Sequence, residues 1–375
     1  MPVIESENVS VVRCTRYQYN CVHDSVALLL EPWGGIAGIV KPGDKVLLKP
    51  NLLAAVKPEE AVTTHPLIIK VLTELIQKVG GEVFIGDSPG GDDEDHTHRE
   101  TGMLAVAQET EARLIKFDRV KQKEYDGIRK RSLELAAAID EVDLIINVAK
   151  LKTHPLTGLT GAVKNIFGCV AGKAKGRMHF DYPLPLEFSK LLVDVYMAVK
   201  PAFSIIDAVI AMEGIGPRRG KARNTGLLLA SRSAVALDTV AAAITGFQPS
   251  QVTTNIIAAE LGLPGTKITE IFLHGLSLEE AIIPDFDRGT ASNGKVGRLI
   301  ARFPAAWVRG FRERKRPYPQ INALLCNGCG KCVEGCPAQI MHLNSKTPTI
   351  DLNACIRCYC CREFCPRGAV ELTRR

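Results

Sequence analysis

The stretch CNGCGKCVEGCP, residues 326–337, recurs 29 residues later as CIRCYCCREFCP, residues 355–366. Each copy spaces three cysteines two residues apart and places a fourth, followed by proline, three residues further on. This spacing is typical of [4Fe-4S] ligand runs, in which the fourth cysteine of each run binds the other cluster of a two-cluster domain. The repeat therefore predicts a small duplicated domain that carries electrons.

Crossed ligation assigns the eight repeated cysteines to two [4Fe-4S] clusters. One predicted set is Cys326, Cys329, Cys332 and Cys365, and the other is Cys355, Cys358, Cys361 and Cys336. A structural zinc domain is the alternative, but zinc sites usually close with four ligands in two separated pairs. Even spacing of three cysteines followed by Cys-Pro favours iron-sulfur clusters.

Four further cysteines lie outside these sets. Cys360 is predicted to be spare, because its neighbour Cys361 keeps the three-residue gap before the next cysteine. Cys14 and Cys21 are expected to pack as small apolar side chains. Cys169 lies in a glycine-rich segment, and both packing and a redox or ligand role remain open for it.

A chain of 375 residues with 46% apolar composition can bury a large core and is expected to form more than one domain. Its first residues lack the pattern of a secretory signal, and no apolar run is long enough to span a bilayer. Unpaired cysteines and thiolate-bound clusters favour a reducing compartment. We therefore expect a cytoplasmic protein.

Positive charge is concentrated in residues 295–316, which hold eight basic residues and one acid. Part of this segment can form a basic amphipathic helix, although Pro304 and Gly310 interrupt it. It could contact an anionic membrane surface or an acidic redox partner, or it could pack between domains with a solvated basic face. A single basic patch without a recognition motif argues against nucleic acid as a partner.

Short apolar runs alternate with amphipathic helices up to about Ile283, which predicts an α/β fold with a mostly parallel sheet and helices on both faces. Predicted strands are Val46–Lys49, Val83–Gly86, Leu144–Val148, Ser204–Ile210, Leu227–Ala230 and Ile268–Leu273. Predicted helices begin at Pro66 and cover Thr101–Ala112, Leu186–Val199, Ala234–Thr245 and Gln251–Leu261. The predicted domains are residues 1–284 (α/β), 285–319 (basic linker) and 320–375 (α+β, ferredoxin-like).

Polar residues follow several of the predicted strands, at the edge where open α/β sheets bind ligands. Lys150, Lys152, Gly158, Gly161 and Asn165 are expected to bind an anion or cofactor, since small residues in this segment could expose backbone amides. The alternative is that polar strand ends and basic loops only keep the surface soluble.

Three residues near this edge are predicted to be catalytic. His154 is the candidate for proton transfer, because imidazole titrates near neutral pH. Lys164 would hold an anionic group, and Asp87, or alternatively Glu213, would orient the histidine or bind a metal. A purely structural histidine is the alternative. Residues 92–98 are either a divalent-cation site or an acidic loop ahead of a helix.

Common nucleotide and haem motifs are absent from the sequence. It contains no Gly-x-Gly-x-x-Gly, and Gly289-x4-Gly294-Lys295 is followed by valine where a P-loop needs serine or threonine. No Cys-x-x-Cys-His motif for covalent haem occurs. An additional flavin or metal stays open, without a motif for either.

Several segments together resemble a group of uncharacterised iron-sulfur proteins known as domain of unknown function 362. The segments are Lys49–Leu53, Gly86–Gly91, Lys152–His154, Thr160–Gly168, Met212–Pro217 and Ala236–Asp238. The likeness spans about residues 8–280, and the tail separately resembles bacterial two-cluster ferredoxins. This resemblance implies an intracellular iron-sulfur protein without an established reaction.

The leading hypothesis is a reductase, in which the tail receives single low-potential electrons from a donor or redox partner protein. It would relay them to an anionic small molecule or bound cofactor in the α/β domain. Two alternatives are a non-catalytic electron-transfer subunit with a docking or sensing domain, and a metal- or cluster-handling protein. Iron content separates the last of these from the first two.

Overall fold

The computed structural model describes residues 7–129, 132–171, 174–289, 316–343 and 346–373. The chain divides into two compact units, one formed by Met1–Gly172 with Ser189–Gly289 and the other by Lys173–Phe188 with Thr290–Arg375. We call them the α/β unit and the tail unit. Lys173–Phe188 groups with the tail unit, which the sequence analysis did not anticipate. No helix among the described residues is long and apolar enough to cross a membrane.

A large twisted sheet forms the centre of the α/β unit. Its strands run in the order β11-β1-β10-β9-β7-β2-β3-β4, with β8 paired to β7, and β5 and β6 form a separate hairpin. The strand bounds are β1 Glu7–Arg13, β2 Lys45–Lys49, β3 Glu82–Ile85, β4 Arg113–Leu114, β5 Val120–Glu124, β6 Ser132–Ala136, β7 Leu144–His154, β8 Gly158–Thr160, β9 Phe203–Glu213, β10 Lys221–Ser231 and β11 Ile271–Gly275.

Parallel pairing dominates this sheet, as the sequence predicts. Strand β7 pairs in parallel with β2 and β9, β3 pairs in parallel with β2 and β4, and β1 with β11. Strand β10 is antiparallel to both of its neighbours, and β8 is antiparallel to β7. The expected mostly parallel α/β fold is confirmed, with an antiparallel strand inserted between β1 and β9.

Among the described residues, ten α-helices lie in the α/β unit and in the segment 174–188. They are α1 Tyr19–Leu30, α2 Pro66–Lys78, α3 Glu94–Glu100, α4 Met103–Thr110, α5 Ala162–Asn165, α6 Ala174–Asp181, α7 Pro185–Val199, α8 Ala234–Ile244, α9 Thr253–Glu260 and α10 Leu278–Ala281. Helix α2 begins as the sequence predicts, with proline in its first turn and His65 as N-cap. Helix α1 was not among the helices predicted from the sequence.

Burial of the sheet against its helices supplies the core of the α/β unit. Leu29, Ile68, Leu72, Val148 and Phe203 belong to one apolar cluster and are fully buried. Each such side chain contributes about 1.5–3 kcal/mol relative to an exposed one. Strands β7 and β9 are buried along almost their whole length, so polar side chains on them lie in the interior.

The glycine-rich segment after β7 differs from the prediction. We expected strand β7 to end at Val148 and a ligand-binding loop to follow, whereas β7 continues to His154 and forms a hairpin with β8. Lys152 pairs with Thr160, and His154 pairs with Gly158. Gly158 makes the turn compact, because it has a φ of 81° and a Cβ there would lie 2.2 Å from the Gln251 carbonyl oxygen.

Duplication is visible in the tail unit as well as in its sequence. Strands β12 Tyr318–Ile321, β13 Met341–His342, β14 Thr349–Ile350 and β15 Val370–Thr373 accompany two short helices, Lys331–Glu334 and Cys360–Phe364. Strand β12 pairs with β15, and β13 pairs with β14, both antiparallel. The first strand of each copy thus pairs with the last strand of the other, which is the exchange that a pseudo-twofold arrangement requires.

Candidate iron-sulfur centres and a buried charge network

One cavity in the tail unit is lined by four cysteines from both copies of the repeat. Its cysteines are Cys326, Cys329, Cys332 and Cys365. Ile321, Pro348 and Val370 contribute to its apolar wall. Three cysteines of the first copy and the fourth cysteine of the second copy therefore face the same space.

A second cavity is lined by the other predicted set, Cys336, Cys355, Cys358 and Cys361. Cys360 is not among its lining residues. The Cys360 thiol is buried and interacts with Cys358, and this hydrogen bond together with desolvation raises the pKa of Cys360 well above its ordinary value. The structure thus separates Cys360 from its neighbour Cys361 in the way that the spacing predicts.

The cysteines that line the two cavities are suitable ligands for iron-sulfur clusters. Four thiols with apolar walls surround each cavity, which is the environment of a cubane cluster. The described residues contain no group of three or more His, Cys, Asp or Glu side chains arranged to hold one metal ion. Clusters bound here would supply one-electron redox chemistry, while the cysteines would hold them and the apolar walls would limit contact with water.

Burial makes these thiols hard to ionise without a metal. Burial, together with the nearby thiols, raises the pKa of Cys332 to about 11. Burial also raises the pKa of Cys361 well above its ordinary value. Iron ligation requires the thiolate form, so cysteines that hold a cluster here would lose their protons, and the iron would supply the positive charge that stabilises the thiolates.

At the carboxyl edge of the large sheet, a buried ion pair joins β2 to the loop after β3. The Lys49 ammonium lies 2.8 Å from Asp87 Oδ1, and both side chains are almost completely buried. Asp87 Oδ2 accepts a hydrogen bond from the Leu52 amide at 2.8 Å. Gly168 lies directly against this pair, since a Cβ there would be 2.0 Å from Asp87 Oδ1.

A second buried ion pair joins β7 to β9. The Lys150 ammonium donates to Asp207 Oδ2 at 2.9 Å and to the Tyr17 hydroxyl at 2.8 Å, and that hydroxyl donates to Asp207 Oδ1 at 2.7 Å. The His65 ring stacks on Tyr17 with 3.6 Å between centroids. Burial lowers the pKa of His65 to about 4, although the Asp207 charge opposes this shift.

Lys152 belongs to an amide network between these pairs. Its ammonium donates to Asn51 Oδ1 at 2.7 Å and to the Val62 carbonyl at 2.6 Å. Asn51 Nδ2 donates to Asn165 Oδ1, and Asn165 Nδ2 donates to Asn147 Oδ1, each at 2.8 Å. Lys152 and Asn165, which the sequence selects as ligand-binding residues, therefore meet through Asn51.

His154 lies at the turn of the β7–β8 hairpin and is buried. Its Nδ1 accepts hydrogen bonds from the amides of Leu156 and Thr157 at 3.1 and 3.3 Å. These bonds require an unprotonated Nδ1 and show that the ring shapes the turn. A role of His154 in proton transfer, with Lys164 and Asp87, stays a prediction.

The first amides of α5 are bound by a carboxylate of the protein itself. Asp238 accepts the Ala162 amide at 2.5 Å and the Val163 amide at 3.0 Å. Burial raises the pKa of Asp238 to about 7, while these two hydrogen bonds lower it. We expected exposed amides around Gly161, but an anion at the start of α5 would have to displace Asp238.

Sequence reasoning missed several members of this network. Asp207 lies within the buried strand β9, and a charged residue inside a buried strand is a signal that could have been used. Tyr17 and His65 offered no comparable signal, because they reach Asp207 only through the tertiary fold.

The acidic stretch at residues 92–98 forms the start of α3. Asp93 is the N-cap and accepts the His96 amide at 2.9 Å, and Asp95 pairs with Lys116 at 2.8 Å. Asp92 accepts the Ala55 amide at 3.1 Å. These carboxylates therefore contribute to capping and pairing, as expected for an acidic segment ahead of a helix.

The basic segment lies almost entirely outside the described residues, which resume at residue 316 after the gap that begins at residue 290. Its contact with a membrane or an acidic partner stays a prediction.

Comparison with known families and proteins agrees with both parts of the chain. A family described as a domain of unknown function (DUF362) matches residues 46–243, and a 4Fe-4S dicluster domain matches residues 310–369. The thylakoid-associated protein sll1697 of Synechocystis is 35% identical over 288 residues, which cover 74% of this chain and 89% of that protein.

Two more distant likenesses involve parts of the chain. One component of the H(2):CoB-CoM heterodisulfide,ferredoxin reductase of Methanothermobacter thermautotrophicus is 35% identical over 84 residues, which cover 17% of this chain and 13% of that protein. The lactate racemase apoprotein from Thermoanaerobacterium thermosaccharolyticum aligns with a TM-score of 0.42 and 14% identity, over 65% of this chain and 58% of that one.

The family match spans more than half of the chain and ends just after Asp238, so it includes both buried lysine pairs and the amide network. The dicluster match includes all eight cysteines that line the two cavities. This chain therefore belongs to the DUF362 family and carries an iron-sulfur domain of the 4Fe-4S dicluster type in its tail.

Proposed function

We propose that this protein is an oxidoreductase with two [4Fe-4S] clusters in its tail unit, from which low-potential electrons reach an anionic small molecule or bound cofactor in the α/β unit. The observation that carries the proposal is the pair of cavities, each lined by four cysteines from both copies of the repeat. That arrangement matches crossed ligation in two-cluster domains.

The number of clusters can be measured directly. Anaerobically reconstituted protein should contain about eight iron and eight acid-labile sulfide per chain. Cys332→Ser and Cys361→Ser should each remove one cluster, because each cysteine lines a different cavity. Stoichiometric zinc with little iron would overturn the proposal, and a reproducible excess of iron or a further metal would favour a metal-handling role.

The reductase part is supported by the charge buried at the carboxyl edge of the sheet. Lys49, Asp87, Lys150 and Asp207 are all less than 5% exposed, and burying ions is costly unless they are paired. Open α/β sheets bind ligands at this edge. Lys152 would orient an anionic group through the network that it shares with the asparagines.

An anaerobic acceptor assay tests this part. Reduced protein is mixed with small carboxylates and phosphates, and oxidation of the clusters is followed by absorbance. A true substrate should oxidise the wild-type clusters, and Lys152→Ala should slow this step at least tenfold while the exposed-surface control Lys116→Ala leaves it unchanged. Equal rates for wild type and Lys152→Ala would contradict a substrate site at this network.

A second candidate is an electron carrier whose α/β unit docks a redox partner. It is favoured by the internal contacts of the lysines, since Lys150 already pairs with Asp207 and Lys152 with Asn51. This role predicts that no small anion oxidises the clusters. It also predicts that Lys152→Ala transfers electrons to an added one-electron acceptor protein at the wild-type rate.

A further inference from the structure

The two copies of the cysteine repeat differ at two positions where the backbone is left-handed. In the first copy these positions are Gly328 and Gly330, with φ of 72° and 74°. The equivalent residues 29 positions later are Arg357 and Tyr359, with φ of 54° and 64°. Glycine adopts this conformation without strain, whereas arginine and tyrosine do not. The second copy therefore retains two side chains at a conformational cost that the first copy avoids.

Both side chains take part in one packed layer. The Arg357 guanidinium lies over the Tyr318 ring at 5.0 Å, and the Arg316 guanidinium lies over the Tyr359 ring at 5.3 Å. The Tyr359 hydroxyl donates to the Pro317 carbonyl at 2.9 Å, and Arg357 Nη1 donates to the Arg316 carbonyl at 3.2 Å. We call Arg316, Tyr318, Arg357 and Tyr359 the arginine–tyrosine layer.

This layer adjoins the second cavity. Tyr359 lines that cavity and is 4% exposed, and Arg357 lies in the chain between the lining residues Cys355 and Cys358. Both arginines are partly buried, so water screens their charge incompletely. The nearby buried acid Glu363 interacts with Arg362, which offsets its charge.

The first cavity has no such cover in the described residues. Glycines occupy the equivalent positions, Cys329 is exposed, and the cationic side chain in the cavity wall, Arg367, is exposed to solvent. The two cavities are thus lined by equivalent cysteines but differ in nearby charge and in access to water. Both factors set the reduction potential of an iron-sulfur cluster.

We propose that the arginine–tyrosine layer raises the reduction potential of the cluster held by Cys336, Cys355, Cys358 and Cys361, and so makes the two clusters inequivalent. Reduction adds one negative charge to a cluster, and two adjacent, partly buried cations stabilise the added charge. The tyrosine rings hold these guanidinium groups in place and exclude water from them. The inference rests on the proposed two-cluster function.

The test is a reductive titration of the reconstituted holoprotein, followed by EPR. Arg357→Gly restores the residue of the first copy at a position that favours glycine, so the variant should fold. It should move one of the two reduction waves to more negative potential by about 59 mV. For a one-electron step, this shift is a tenfold change in the ratio of reduced to oxidised cluster at a given potential. Arg316→Gln should move the same wave, and Arg357→Lys should move it less.

Arg367→Gln is the matched control, because Arg367 lines the other cavity. It should leave the wave that responds to Arg357→Gly in place. The inference is wrong if Arg357→Gly shifts neither wave or shifts both equally while eight iron atoms per chain remain bound. Loss of the predicted iron content in the wild type would instead refute the two-cluster function itself.

Discussion

Replacing Lys150 with methionine should destabilise the α/β unit strongly, because it leaves the buried Asp207 carboxylate without its positively charged partner. The ion pair spans 2.9 Å, and at an effective dielectric constant of about 20 its attraction is roughly 6 kcal/mol before desolvation is counted. Asp207 would keep three donors, the Tyr17 hydroxyl and the amides of His65 and Val209. Removing one partner of such a pair costs about 3–5 kcal/mol, which is the loss we expect in the free energy of unfolding.

Two further variants distinguish the effect of an unpaired Asp207 charge from the effect of lost side-chain packing. Lys150→Met with Asp207→Asn removes both charges, so the double variant should be more stable than Lys150→Met alone. Lys116→Met breaks an ion pair with Asp95 of similar length, 2.8 Å, but on the exposed surface. This control should leave the stability unchanged, because solvent screens the exposed pair.

Urea unfolding followed by tryptophan fluorescence is the assay. Trp33 packs edge-on against Phe203 at 4.8 Å and therefore reports on the core of the α/β unit. The only other tryptophan in the sequence, Trp307, is replaced with phenylalanine in every protein compared. If Lys150→Met unfolds at the same urea concentration as Lys116→Met, the ion pair of Lys150 with Asp207 does not stabilise the α/β unit as we infer.

Cys361→Ser should lose about half of the iron, about four atoms per chain, whereas Cys360→Ser should keep all of it, as measured by iron analysis after anaerobic reconstitution. Equal losses would contradict the separation of these neighbours. Gly168→Ala should lower the free energy of unfolding by about 1–3 kcal/mol, because the new methyl group overlaps the buried lysine–aspartate pair beside it. Gly176→Ala is the matched control, since nothing lies within 4 Å of its Cβ position. Stability should fall as the pH drops from 6.5 to about 4, because the unfolded chain binds a proton that folded His65, with its lowered pKa, does not. His65→Asn keeps an N-cap acceptor but cannot titrate, so a fall as steep as in the wild type would rule out this histidine as the cause.

Much of the fold could be read from local patterns. The helix that starts at Pro66 and the strands around Val46, Val83 and Ser204 follow from apolar periodicity and from helix-start residues, which depend on near neighbours in sequence. The prediction was less accurate after Val148. Pairing with β8 extended that strand, and such pairing satisfies backbone groups whatever the polarity of the side chains.

Part of the candidate site could likewise be predicted from local sequence, and part could not. Spacing alone grouped the eight cysteines into two sets of four, and each set lines one cavity in the structure. Lys150 and Lys152 of β7 were selected from the sequence, but their partners were not. Lys150 lies beside Asp207 because β7 and β9 are adjacent in parallel register, and Tyr17 reaches the pair from a distant part of the chain.

By itself, the sequence determined the cysteine repeat and the α/β class and predicted the two crossed sets of cysteines, because these depend on spacing along the chain. Only the tertiary structure decided that Lys49, Lys150 and Lys152 find partners inside the protein, and that Tyr359 lines one of the two cavities while Arg357 packs over Tyr318. The physical reason is that a buried charge must find its partner in space. Which residue becomes that partner depends on strand order and register, which no local pattern encodes.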